Sequence, residues 1–357
     1  MAERDPDRDN TVRFDPLKNR GHVESHFLKA NSPDGQHALW LKMTVLAREG
    51  AVARAVTEVW GIAFRRDGNH TAVKSTFPAS SSRFSAMGSP FRITYGDPDA
   101  EGAELTPGRI RGGASTDGRT MRWDLTLRPK CAPLRTLPAE AMYTLPLPKT
   151  KTITPYPDAV CEGWVDVDGE RWSLDGWRGM QGHNWAPRHT DHYAWGHCNV
   201  LWQRGDATRR RLEDTWVEAG VGRFKVGPWW TPWLAVGHVV VSGERFDFSG
   251  PRAMRRAECA VRDGTGGHGG AGAYSMRYET TDGDARMVLA MSSAADGMVG
   301  LRYENPVGPL THCLNSKLAQ CSLRIERGDR VLAELESDCA AFELGTMDPT
   351  HGITLRV

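Results

Sequence analysis

"RTMRWDLTLR" (residues 119–128) alternates Met121, Trp123, Leu125 and Leu127 with Arg122, Asp124, Thr126 and Arg128. A period of two sends successive side chains to opposite faces of an extended chain, so this stretch predicts a half-buried strand. The signature recurs on both sides. "HALWLKMTVLA" (37–47) and "RAVTEVWGIAFR" (54–65) are rich in β-branched and aromatic residues and are bounded by turn formers. "SPDG", "RRDGN", "STDGR", "DVDGER", "VSGER", "TTDGDA" and "ERGDR" punctuate the chain as tight turns, and helical periodicity is nearly absent. "HCLNSKLAQCSLRIE" (312–326) also reads as strand, because Cys321, Leu323 and Ile325 alternate with Ser322, Arg324 and Glu326.

Roughly eleven strand candidates precede residue 203 and about seven follow it, which fits an all-β protein of two antiparallel barrels or barrel-like sandwiches. The break "RGDATRRR" (204–211) predicts a flexible terminus at 1–11, a first domain at 12–204 and a second at 205–357. "TLPAEAMYTLPLPKTKTITPYPDA" (136–159), with five prolines, reads as an excursion that returns to the first barrel. "VDGERWSLDG" (167–176) and "VSGERFDFSG" (241–250) echo one another as related hairpins.

The 45 basic and 44 acidic side chains nearly cancel, so charge offers no argument for nucleic acid or an anionic membrane. The start lacks the apolar run of a secretory signal, and no stretch of about 18 apolar residues occurs. Seven scattered cysteines without CxxC spacing predict free, mostly buried thiols and a cytoplasmic location. The glycine-rich "GTGGHGGAGA" (264–273) lacks a following Lys-Ser/Thr and reads as a loop, not a phosphate cradle. "GPWWTPW" (227–233) reads as packing of the second barrel.

Chemistry concentrates in "GMQGHNWAPRHTDHYAWGHCN" (179–199), and six of the 13 tryptophans lie between Trp164 and Trp202. Alternation from residue 191 sends Asp191, Tyr193, Trp195, His197 and Asn199 one way, and the smaller Ala194, Gly196 and Cys198, with His192, the other. The bulky face predicts an aromatic pocket wall. His183, Asp191, His192 and His197 are the candidate proton-transfer groups. Trp177, Asn184, Trp185, Tyr193, Trp195 and Asn199 are candidate substrate contacts, with Trp40 and the acid Glu58 from the earlier strands. No HExxH occurs, and one strand does not bring His192 and His197 to one face, so no metal is expected. No GxSxG occurs either.

"GWRGMQGHNWAP…YAWGHCN" resembles the lipocalin-like (calycin) family that includes hydroxyneurosporene synthase, or carotenoid 1,2-hydratase, with tocopherol cyclases and decalin pericyclases as more distant relatives. Gly179, His183, Asn184 and Trp185 match the family's box, and Trp195 and Gly196 its Trp-Gly strand. "VESHFLKANSPDGQHALWLKMTVLA" (23–47) resembles the family's entry, with Glu24, Ser25 and Ala38-Leu39-Trp40. Gly182 stands where the box carries an aspartate. The resemblance implies two lipocalin-like barrels and a hydratase, cyclase or isomerase that needs no dissociable cofactor. Its expected partner is a hydrophobic, terpenoid- or polyketide-like small molecule. The alternatives are a non-catalytic binding protein with the same cavity, and a Trp-His seam that is only core.

Overall fold

The computed structural model describes residues 6–85, 89–265 and 274–357. Among these, two antiparallel sheets of 13 and 11 strands carry almost all the regular structure. No helix among the described residues is long and apolar enough to cross a membrane.

In the first sheet, Thr71–Pro78, Val56–Arg65, His37–Ala47, His22–Asn31, Trp177–Ala186, Lys151–Val167, Arg119–Pro129 and Arg109–Thr116 lie side by side. The sheet curls until Thr71–Pro78 meets Arg109–Thr116. The Lys74 backbone N–H donates to Thr116 Oγ1 at 2.8 Å, and that of Ser115 to Ser75 Oγ at 3.1 Å. Leu39, Leu41, Met43, Met121, Trp123 and Leu125 fill the hollow, so the alternation of residues 119–128 reports the inward face correctly. The strand Lys151–Val167 carries Pro155 and Pro157 where its register with Trp177–Ala186 shifts. Irregular pairing of this kind tolerates residues that cannot donate to the ladder. The excursion therefore ends at Thr150, earlier than its prolines imply.

The second sheet orders Leu234–Val241, Trp216–Arg223, His192–Cys198, Arg330–Thr346 and Thr311–Arg327, followed by Ala285–Ser293 and Tyr274–Asp282. It closes over Val217, Tyr278, Met287, Leu289, Met291 and Phe342. The chain changes sheets between Ala186 and His192, ahead of the break at 204–211. His192–Cys198 pairs with Trp216–Arg223 on one side and Arg330–Thr346 on the other. No turn signal marks that crossing, because the segment 187–191 connects two sheets and closes no hairpin.

The two echo hairpins share one turn. Asp168-Gly169 and Ser242-Gly243 both have positive φ, the type I′ solution that matches strand twist. Two further expectations are corrected. Residues 6–10, expected in a flexible terminus, form a short helix in which Asp9 and Asn10 are buried. "GPWWTPW" is not simply packed: Trp229 and Trp230 form an exposed two-stranded ribbon with Lys225 and Val226, and only Trp233 meets the core. The glycine-rich loop lies, from residue 266 to 273, outside the described residues. The seven cysteines are free thiols, five of them buried.

The sheets stack outer face to outer face. Trp40, Trp60, Ile62 and Phe64 of the first meet Leu301, Tyr303, Cys313 and Leu318 of the second in a shared apolar core.

Candidate functional site

The segment 179–199 is divided between the sheets, and its two strands face each other. On the second sheet, Ala194 and Cys198 turn into the barrel core, and Gly196 lies hard against Met291. Tyr193, Trp195, His197 and Asn199 turn the opposite way, toward the first sheet. Gly345 makes room for the Tyr193 ring, which lies directly over it. From the first sheet, alternation along His22–Asn31 sends Ser25, Phe27, Lys29 and Asn31 into the seam. Cross-strand pairing puts Asn184 beside Ser25 on that face. Asn184, Tyr193 and Trp195 are only half-buried although their strands are central in both sheets, so the seam is not sealed at this point.

The walls of the seam are aromatic here and its polar groups are largely paired. Phe27 meets Trp195 edge to face at a centroid distance of 5.7 Å. Trp195 Nε1 donates to Glu218 at 3.2 Å, and Thr154 Oγ1 of the facing sheet donates to the same carboxylate at 2.8 Å. Burial raises the Glu218 carboxyl above its ordinary value, opposed by those hydrogen bonds. His197 places Nε2 2.8 Å from the Pro157 carbonyl and leaves Nδ1 without a partner. Burial lowers this imidazole well below its ordinary value, so it is neutral, with the proton on Nε2. Asn199 ties the sheets together: its Oδ1 accepts from Lys29 Nζ at 2.6 Å, and its Nδ2 donates to Asp158 at 2.8 Å and to the Gly179 carbonyl at 2.9 Å.

Four lysines are wholly or largely buried on the facing surfaces. Lys29 is held by Asn31 and Asn199, Lys317 by Glu343 and Asn315, and Lys74 by Glu58 at 2.7 Å. Lys74 thus supplies the counter-ion that the buried Glu58 needs. Lys42 alone of the four has no oxygen partner among the described residues. Its Nζ lies 3.7 Å from the Tyr303 ring centroid and 5.8 Å from those of Trp40 and Trp60. Burial brings it down to about 8.

His183 is elsewhere. It pairs with His26 across the strands on the inward face of the first sheet, opposite to the seam. Its Nδ1 lies 2.7 Å from the Asp9 carbonyl and its Nε2 2.7 Å from Glu24. Each ring nitrogen thus lies within hydrogen-bond distance of an oxygen. Burial would raise the Glu24 carboxyl, but hydrogen bonds from His183 and His22 outweigh it and hold that carboxyl well below the usual range. The same carboxylate accepts the backbone N–H groups of Arg13 and Phe14. His26 donates from Nε2 to the Asn10 carbonyl at 2.8 Å, and burial takes it down to about 3.

Glu24, His26 and His183 bring three potential ligand atoms within 4.8 Å of one another. The two rings, however, are stacked 4.1 Å apart at 12°. Ring lone pairs lie in the ring plane, and two nearly parallel planes do not aim them at one ion. As held here, His183 is hydrogen-bonded to Glu24, His26 stacks on His183, and both rings are tied to carbonyls of the N-terminal segment. Trp185 lies beside them, 4.9 Å from His183 and stacked under Arg13.

The remaining expected residues are dispersed. Asp191 is paired with Arg188 and accepts the Lys225 N–H at 2.9 Å. His192 accepts from Arg223 on Nδ1 and faces Asp263 with Nε2 at 3.3 Å, beside Trp233. Trp177 packs on Trp172 inside the first barrel and borders a shallow recess shared with His37. An open hollow of about 640 Å³ on the second sheet, lined by Trp202, Arg209, Arg262 and Gln320, touches none of the expected site residues.

Of the expected set, the structure therefore gathers Trp40, Glu58, Asn184, Tyr193, Trp195, His197 and Asn199 on the seam and places His183, Trp185 and Trp177 behind it. Sequence reasoning missed Lys42, Glu218, Lys29 and His26. A signal was present for three of them. A lone lysine in "ALWLKMTV", a lone glutamate in "TWVEAGVG" and a lysine in "SHFLKAN" each interrupt an otherwise apolar strand.

No protein-family model matches the sequence, and no curated protein matches it. By structure the chain is similar to CghA, with 12% identity, 92% of this chain and 89% of that chain covered, and a TM-score of 0.59. It is also similar to CghA solved with Sch210972, at 11% identity over 92% and 89% of the two chains, TM-score 0.53. The ATTH-type protein NE1406 of Nitrosomonas europaea matches at 11% identity over 98% and 100%, TM-score 0.52. At such identities the likeness shows a shared lipocalin-like fold of two curled β-sheets, over nearly the whole of each chain.

Proposed function

We propose that the unsealed seam between the sheets is a cleft for a largely apolar small molecule, and that the protein is an enzyme acting on it as a hydratase, cyclase or isomerase without a dissociable cofactor. The observation that carries this reading is Glu218. It is a buried carboxyl with a raised proton affinity, hydrogen-bonded to the half-exposed Trp195 that walls the cleft. A carboxylic acid whose proton affinity burial has raised is better suited to general-acid catalysis than a free one, and the indole and phenol faces of Trp195 and Tyr193 favour positive charge developing on carbon. In this reading Glu218 replaces His183 and Asp191 as the donor. His183 is clamped on the far side of the sheet, and Asp191 is spent on Arg188. The neutral His197 and Asn184 orient the substrate or a water. The resemblance to hydroxyneurosporene synthase, and the occurrence of this fold around Sch210972 in CghA, support a small hydrophobic substrate.

A non-catalytic binding protein would use the same cleft, and Gly182, which removes the family's box aspartate, favours that second reading. One experiment separates them. A panel of apolar terpenoid and polyketide-like compounds is screened for quenching of tryptophan fluorescence, and each binder is then assayed for conversion. Conversion that disappears in Glu218→Gln while quenching persists supports the enzyme. Quenching without conversion in the unaltered protein selects the binding protein, and absence of both removes the cleft as a site.

A further inference from the structure

We propose that the ligand of this cleft carries an anionic oxygen, of the carboxylate kind, that docks on Lys42 between Trp40 and Trp60. The inference rests on the cleft reading above and adds the chemistry of the ligand's polar end. Trp40 and Lys42 occupy alternate positions of one strand, and Trp60 pairs directly with Lys42 on the next. All three therefore share the face that meets the second sheet, and all three are buried. The indole Nε1 atoms of Trp40 and Trp60 are buried donors without acceptors among the described residues. The Lys42 ammonium adds a third donor group that no carboxylate, amide or carbonyl of the described residues answers. Every other buried lysine of the seam has such an oxygen.

Cation–π contact with Tyr303 compensates only part of the loss of water around an ammonium, and it does nothing for the two indole N–H groups. Buried donors are normally satisfied, so two unanswered indole N–H groups, together with an ammonium that no oxygen of the described residues meets, define the complement they lack: an acceptor with negative charge. Ile62 and Leu301 belong to the same packed core, so the surroundings of these donors are apolar.

Other charged and titratable groups surround Lys42. Lys74 and Glu58 stand on its own sheet, Cys313, Tyr303, Glu343 and Lys317 on the facing one, and His189 in the connecting segment. Lys74 is neutralised by Glu58 and Lys317 by Glu343, and burial holds His189 neutral with a value of about 3. Among the described residues Lys42 is thus the cation of this group left to meet an anion, and as it titrates from about 8 that attraction fades with rising pH.

Decanoate and decanamide share one chain and differ in the charge of the head, so the pair tests the idea by titration calorimetry. The expected result is that decanoate binds about tenfold or more tightly than decanamide at about pH 7, and that this advantage shrinks as pH is raised through 8 toward 9.5. In Lys42→Met the advantage disappears. In Lys42→Arg, whose charge does not titrate in this range, it persists and no longer falls with pH. Equal binding of the two probes by the unaltered protein overturns this inference and leaves the cleft standing. So does a preference that survives in Lys42→Met. Failure of both probes to bind removes the cleft reading together with the inference. Should Lys42→Met not fold, the Arg variant and the pH series decide alone.

Discussion

The ring of Phe27 lies over the α-carbon of Gly182, so close that a Cβ on that glycine would overlap it. The two residues pair directly across neighbouring strands. The large apolar ring occupies the room beside Gly182 and reaches on to Trp195. Gly182→Asp should therefore destabilise the fold by about 2 kcal/mol through overpacking and a carboxylate facing a ring. Adding Phe27→Ala should recover part of that loss. Urea unfolding of the two single variants and the double variant measures the coupling, and strictly additive effects would contradict the contact.

The Lys29–Asn199–Asp158 bridge gives a second prediction. Asn199→Leu leaves the buried Lys29 with Asn31 as its sole oxygen and strips Asp158 of one donor. A loss of about 3 kcal/mol is expected, with the denaturant slope unchanged. A loss below about 0.5 kcal/mol, the scale of an exposed substitution, would show that the bridge is not a structural tie.

The pH profile of stability gives a third. His26 and His197 are neutral in the folded protein, His26 at about 3 and His197 well below its ordinary value, whereas the unfolded chain protonates both near 6.5. Below that pH the unfolded state binds more protons than the folded one. Stability is therefore full above about 6.5 and is lost as pH falls, by up to about 1.4 kcal/mol per pH unit for each ring. Urea midpoints between about pH 6.5 and 4.5 should fall steeply, and His197→Gln should remove close to one proton from the slope. Flat midpoints would rule out buried neutral rings.

Thr154 offers a fourth. Its hydroxyl donates to Glu218 and lowers that carboxyl against the effect of burial. Thr154→Val should raise the Glu218 carboxyl further and so keep it protonated to higher pH. The protonated carboxyl stretch in the infrared difference spectrum, assigned by its absence in Glu218→Gln, follows this directly. An unchanged titration would show that the hydroxyl does not act on the acid.

The strands and their inward faces were legible because a half-buried strand writes its burial into every second residue. Met121, Trp123, Leu125 and Leu127 are one example, and Ala194, Gly196 and Cys198 against Tyr193, Trp195 and His197 are another. The site was legible only as a set of faces. Asn31 reaches the Lys317 carbonyl across 286 residues of sequence, and Lys29 reaches Asn199 across 170. Contacts made between sheets leave no periodicity behind. The histidine-rich box hid this most effectively. Its halves look contiguous, yet His183 points into one barrel beneath Asp9 while Trp195 belongs to the other sheet. The Lys42 patch has the reverse character: three adjacent lattice positions of one sheet, invisible until the pairing of Lys42 with Trp60 is known.

The seam of ammonium groups, carboxylates and amides between the two sheets also fixes how the polypeptide comes apart. Separating the halves would bring Lys29, Lys317 and Asp158 to water together with Trp40, Trp60 and Phe64, so neither half retains a finished exterior by itself. Melting should accordingly register as one cooperative event in calorimetry rather than two. A gene cut between residues 186 and 192 should yield fragments that stay soluble only when produced together.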